Sequence, residues 1–213
     1  MVDAPWLSHY DSDVPHTLAP YPQRTILDYL ADLVRTRPRD AALLFKGATI
    51  SWEQLSRDAD AFAVALASLG VSRGDRVGLL LPNCPQFFVA ELAAWKLGAI
   101  VAPLNPIYPE HELEGPVAEN GIDTILTLTR FYGRIKRVQG RVPVRRVIAT
   151  NIKEYFPPLL KFLFTVAREK RDGDRVTVAP DDYEFGALLA KHRGQRPEAI
   201  AISPEDPAVL LLS

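Results

Sequence analysis

At 213 residues the chain is long enough to hold a buried core, since domains of this size hide roughly 70% of the surface of their unfolded chains. With 47% hydrophobic and 24% charged residues it has the composition of a globular protein, which excludes a disordered, collagen-like or integral-membrane chain. A single cysteine, Cys84, excludes an intramolecular disulfide and a cysteine-based zinc site. The net charge of −1 hides a segregated distribution: residues 1–129 carry 9 Lys and Arg against 16 Asp and Glu, residues 130–175 carry 13 against 4, and residues 176–213 carry 3 against 6. The N-terminus, Met1-Val-Asp-Ala-Pro-Trp6, has neither a basic nor an apolar signal region, so the expected location is cytoplasmic. The most apolar stretch, Tyr155 to Ala167, contains Lys161 and falls well short of the roughly 20 residues that span a bilayer.

Residues 1–24, rich in Pro, Asp, Tyr and His without periodicity, read as an extended arm on the surface. From Thr25 the apolar positions Ile26, Leu27, Leu30, Leu33 and Val34 recur at helical spacing until Pro38 stops them. Ala42–Phe45 and Ala48–Ile50, flanking Lys46-Gly47, predict a hairpin. Ser51-Trp-Glu-Gln54 matches a capping box, and the helix that follows closes at Gly70.

Apolar runs then alternate with helical patterns. The runs are Arg76–Leu81, Ile100–Ala102, Thr124–Leu128 and Arg146–Ala149; the helices fall near 83–97, 110–119 and 131–138. That alternation predicts an α/β fold, a mostly parallel sheet flanked by helices over residues 25–150. Residues 151–180 form a basic and apolar segment in which Lys153–Arg171 reads as helical and Arg175–Val178 as a short strand. Residues 181–213 read as the start of a further α/β portion, with a helix over Asp181–His192 and an apolar strand at Ala208–Leu212.

The turns after the predicted strands contain no glycine-rich phosphate loop, so a self-contained nucleotide site is not expected. Gly70-Val-Ser72-Arg-Gly74 matches the nucleophile-elbow pattern, but it joins a helix to a strand where that motif must join a strand to a helix. His9, His16, His111 and His192 lack metal-ligand spacing, and no metal site is expected. His111 stands among Glu110, Glu112 and Glu114 on what reads as a solvated face, and Cys84 beside Pro85 reads as a buried helix-start residue. Two features remain. The basic run Arg130, Arg134, Lys136, Arg137, Arg141, Arg145 and Arg146 suits either a polyanionic ligand or a solvated face. The segment Tyr155–Ala167, framed by Lys153, Arg168, Lys170 and Arg171 and carrying Phe156, Phe162 and Phe164, suits either shallow insertion at an anionic membrane or packing within the protein.

Three blocks occur in order and at matching spacing: Ile50-Ser-Trp-Glu-Gln-Leu55, Gly74-Asp-Arg-Val-Gly-Leu-Leu-Leu-Pro-Asn83, and Ala94-Trp-Lys-Leu-Gly-Ala-Ile-Val-Ala-Pro-Leu-Asn-Pro106. Together they resemble the first blocks of the AMP-forming acyl-CoA synthetases, the adenylate-forming ligase superfamily. Asn151–Phe164 resembles a segment of bacterial long-chain fatty acid–CoA ligases. The resemblance implies the N-terminal portion of the ligase large domain. It also implies, for the whole enzyme, a reaction joining a long-chain fatty acid to coenzyme A through an acyl-adenylate, with ATP and Mg²⁺. It implies Arg130, Arg134, Lys136 and Arg137 as contacts to coenzyme A phosphates. In the family, the strand resembling Ala208–Leu212 leads into a phosphate loop ending in Lys, and this sequence stops at Ser213, on the threshold of that loop. No catalytic residue of the family maps onto it. The expectation is therefore a fragment inactive alone, binding no cofactor tightly, whose partners are a fatty acid, the remainder of the ligase and a membrane's inner face, and not nucleic acid. The alternative is a truncated relative that binds coenzyme A, lipid or a partner without chemistry.

Overall fold

A computed structural model describes residues 4–211. After the arm, which holds a 3-10 turn at Pro5–His9 and is otherwise irregular and exposed, Thr25 opens helix α1 (Ile26–Thr36). The Asp28 backbone N–H donates to Thr25 Oγ1 at 3.2 Å, and the Thr25 backbone N–H donates back to the Asp28 carboxylate at 2.7 Å. The expected hairpin forms from β1 (Ala41–Phe45) and β2 (Ala48–Ser51), turning through Lys46 and Gly47 at φ of 51° and 85°, the left-handed geometry of a tight hairpin. Ser51 caps α2 (Trp52–Ser68) by accepting from the Gln54 N–H at 3.2 Å; only this half of the expected capping box forms.

Next come β3 (Arg76–Leu80), α3 (Pro85–Lys96), β4 (Ile100–Pro103), α4 (Glu110–Glu119), β5 (Ile122–Leu128), α5 (Thr129–Gln139) and β6 (Arg146–Thr150). Beyond β6 the single helix expected over Lys153–Arg171 is broken into a 3-10 turn, Ile152–Tyr155, and α6 (Pro158–Ala167). Pro157 is held extended at φ −54° and ψ 149°, because the residue before a proline is driven out of the helical region, and Pro158 takes the first helical position. No strand forms at Arg175–Val178. The helix expected over Asp181–His192 begins instead as a strand, β7 (Tyr183–Glu184), and becomes helical only in α7 (Phe185–Lys191).

The five strands β3 to β7 form one parallel sheet in the order β4-β3-β5-β6-β7. Of the strand expected at Ala208–Leu212, the segment around Val209 adds to the outer edge of β4. Val101 N–H donates to the Ala208 carbonyl at 3.0 Å and Leu210 N–H to the Val101 carbonyl at 2.8 Å; Leu212 lies outside the described residues, as do Ser213 and Met1–Asp3.

Strand alternation divides the core in two. Val77, Leu79, Leu126, Leu128 and Ile148 face α1, α2, α3 and α7, while Leu80, Ile122, Ile125, Val147 and Ala149 face α4 and α5. Gly78 sits where the second layer presses closest: a Cβ there would lie 2.9 Å from Ile122 and 3.2 Å from Ile125 and Leu104. With both faces covered, side chains of variable chemistry collect at the carboxyl ends of the strands.

Candidate functional site

At the carboxyl ends of β5 and β6 lies a cleft of about 270 Å³ whose walls include Thr129, Asn151, Lys153, Glu154, Glu169 and Asp174. Its two most buried acids are already held. Asp174 accepts from Arg130 Nε at 3.2 Å and Nη2 at 2.6 Å, and Glu169 accepts from Lys153 Nζ at 2.5 Å and Asn151 Nδ2 at 2.9 Å. Glu154 differs. Its carboxylate accepts the Asn151 backbone N–H at 3.0 Å, yet burial pushes its pKa up to about 7; the Asn151 N–H and Lys161 oppose that rise, and Glu184 adds to it.

A second cleft, of about 640 Å³, opens on the other side of Glu154, between α2, the 3-10 turn and α7. Arg57, Lys161 and Arg193 stand over it with Asp58. Tyr155 donates its hydroxyl to Asp58 at 2.8 Å, and burial raises the pKa of both groups. Neither Glu154 nor the Asp58–Tyr155 pair was singled out from the sequence. Asn151-Ile-Lys-Glu154 does fit the capping pattern and places Glu154 locally, whereas the Tyr155–Asp58 contact spans 97 residues and has no local signal.

The basic run is largely spent on internal partners. Arg130 holds Asp174; Arg134 donates to the carbonyls of Pro106 at 2.8 Å and Tyr108 at 2.7 Å; Lys136 pairs with Asp182 at 2.7 Å and also meets Gln139. Arg137 and Arg141 pair with Glu110 and Glu114 of α4, each at 2.5 Å, and Arg145 and Arg146 both face Asp123. The charge segregation along the sequence is thus partly a pairing plan: acids of the first 129 residues neutralise cations of the middle. Of the four residues expected at coenzyme A phosphates, Arg130 and Arg137 are exposed, and Arg130 is held by the buried Asp174. His111 lies on the exposed acidic face as expected, with Glu112 at 3.8 Å.

The apolar segment also sorts itself. Phe156 and Phe164 pack edge to face at 5.5 Å between ring centres, and Phe156 reaches Phe45 at 5.9 Å, so both turn inward, as does Lys153. Phe162 points outward, and Arg168, Lys170 and Arg171 are exposed. Among the described residues, no helix is long and apolar enough to cross a membrane, and no group of three or more His, Cys, Asp or Glu is placed to hold a metal ion. Ser72 occupies a turn from α2 into β3, donating to Asp75 at 3.1 Å. Cys84 is buried at the start of α3, and burial pushes its thiol up to about 11.

Residues 30–213 match the AMP-binding enzyme family. The chain belongs to that family. This AMP-binding enzyme chain is 29% identical over 207 residues to the long-chain-fatty-acid–CoA ligase of Bacillus subtilis (strain 168), covering 97% of this chain and 37% of that protein. It is 30% identical over 210 residues to the long-chain-fatty-acid–CoA ligase of Escherichia coli O157:H7, covering 96% and 37%. It therefore spans little more than a third of the length of these curated relatives. Its fold superimposes on the anthranilate CoA ligase AuaEII in complex with anthranoyl-AMP with a TM-score of 0.71 at 18% identity, covering 89% of this chain and 32% of that one.

The family's description implies an adenine nucleotide for the whole enzyme, and the described residues do not by themselves assemble a site for it. Arg130 and Lys153 at the carboxyl edge are bonded to buried carboxylates, α3 opens at Cys84-Pro85 without a side-chain cap, and α5 follows β5 with no loop between them. No step through ATP or Mg²⁺ follows from these residues.

Proposed function

We propose that this chain is the N-terminal part of a long-chain fatty acid–CoA ligase, which activates a fatty acid with ATP to an acyl-adenylate and passes the acyl group to coenzyme A. The observation that carries the proposal is the match to the Bacillus subtilis ligase over 97% of this chain but only 37% of that ligase. In the same reading, the part is inactive alone. Stabilising a transferring phosphate requires donors fixed around it, and Arg130, Lys136 and Lys153 are already held by Asp174, Asp182 and Glu169. Its role is to supply the sheet and the two helical layers against which the rest of the enzyme builds its site.

Coenzyme A enters this proposal through Arg137. Its pair with Glu110 is exposed and of the kind that contributes little, so a phosphate can exchange for the carboxylate. Peripheral contact with a membrane belongs to the same proposal, because the fatty substrate resides there. The test is fatty-acid-dependent exchange of pyrophosphate into ATP, run on the 213-residue chain and on a chain extended to the length of the relatives. Exchange by the extended chain only is expected; exchange by the 213-residue chain overturns its inactivity, and none by either overturns the ligase reading.

A further inference from the structure

Helix α6 is amphipathic in the reverse sense. Phe164 and Thr165 face the body of the protein, with Phe164 packed on Phe156 and Thr165 accepting from Lys153 at 3.1 Å, while the exposed Lys161 borders both clefts. Leu159, Phe162, Leu163 and Val166 follow the i, i+3, i+4, i+7 spacing of one helix face, and that face points to solvent. They expose 72%, 64%, 51% and 71% of their surface, and no described residue covers them. Hydrophobic burial alone would favour rolling the helix over, so a contiguous apolar stripe held outward while Phe164 and Thr165 anchor the inner face marks a contact surface.

The surrounding charge selects the occupant. From Pro157 to Arg168 the sequence has no carboxylate. Where α6 ends, Arg168, Lys170, Arg171 and Arg175 are all exposed. Only Asp172, which faces Arg168 and Arg171 at 3.3 Å each, and the buried Glu169 offset them. A second copy of this helix would meet it with the same excess of cations, because a symmetric pair presents one patch to itself. An anionic lipid surface complements both the stripe and the cations.

We infer that α6 lies in the plane of an anionic lipid surface, with Leu159, Phe162, Leu163 and Val166 entering the boundary between headgroups and acyl chains, and Arg168, Lys170 and Arg171 at the lipid phosphates. At 10 residues the helix is roughly 15 Å long, so it rests on the bilayer and does not cross it. This deepens the membrane part of the proposed function by naming its surface, and it is read by vesicle binding, independently of ligase chemistry.

The test is co-sedimentation of the full chain with vesicles of phosphatidylglycerol and of phosphatidylcholine. Expected are binding to the former at least about tenfold tighter, and weakening by raised salt. The double substitution Phe162→Ser, Leu163→Ser should weaken it at least about tenfold, as should Lys170→Glu with Arg171→Glu. Leu44→Ser, which removes an equally exposed leucine on β1, should leave it unchanged. Wild-type thermal unfolding of each variant separates lost binding from lost folding. The inference is overturned if the Phe162/Leu163 variant binds as wild type does, or if that substitution abolishes a dimer in a chain that never binds vesicles.

Discussion

The guanidinium of Arg130 grips the buried carboxylate of Asp174 through two hydrogen bonds, joining residues 44 apart at the carboxyl edge of the sheet. Removing one partner of a buried pair strands the other charge, which costs roughly 3–5 kcal/mol when both are fully buried. Arg130 is partly exposed and water screens it, so Asp174→Ala should lower stability by about 2 kcal/mol. Urea unfolding followed by circular dichroism measures this, and an unchanged midpoint would show the pair to be ornamental.

Glu154 makes stability depend on pH. Its pKa is raised from 4.5 to about 7 in the fold, so the folded state holds a proton that the unfolded chain releases earlier. Its stabilising contribution is fully present below pH 4.5 and is lost as pH rises through about 7. Glu154→Gln keeps an acceptor for the Asn151 N–H and removes the titration, so it should flatten the stability profile between pH 5 and 8, where the wild type loses up to roughly 3 kcal/mol from this group. Parallel profiles for the two proteins would refute the assignment.

Gly78 tests the tightness of the second core layer. Alanine there must displace Ile122, Ile125 and Leu104 together, and overpacking of this kind costs about 1–3 kcal/mol. A thermal melt of Gly78→Ala at or above the wild-type midpoint would mean that these side chains yield freely.

Cys84 should be inert in the native protein. Only the thiolate reacts, and a thiol at about 11 that is also 2% exposed offers little of it near neutrality. Alkylation at pH 8 should be on the order of 100-fold slower in buffer than in urea. Equal rates would contradict the buried position.

The strands β3 to β6 and the helices between them were legible because each strand is a short apolar run buried on both faces and each helix carries a helical apolar stripe. What escaped depends on partners far along the chain. β7 contributes only Tyr183 and Glu184, neither apolar enough to advertise a strand, and exists because β6 offers it an edge. Arg175–Val178 has strand-forming residues but pairs with no neighbour. The cations of α5 look alike in sequence; only the fold assigns Arg130 to Asp174, Lys136 to Asp182 and Arg137 to Glu110. The apolar content of α6 was legible, while its direction was not: Phe162 and Phe164 look alike in sequence, and Phe164 turns inward because Phe156 lies within its reach, as Thr165 does toward Lys153.

The bridge between Val101 and Val209 also sets an order of events in synthesis. Trp95 donates its indole N–H to the Ala208 carbonyl at 2.8 Å across 113 residues, and β4 receives its outer neighbour from the same stretch. A ribosome adding about 5–20 residues per second needs on the order of ten seconds to cover that interval. In its course β5 and β6 appear and join β3, while β4 stands with an open, apolar edge, the kind of surface that recruits stray strands. The nascent chain is therefore most exposed to aggregation, and most in need of a chaperone, after its central sheet has formed and before residue 208 has emerged.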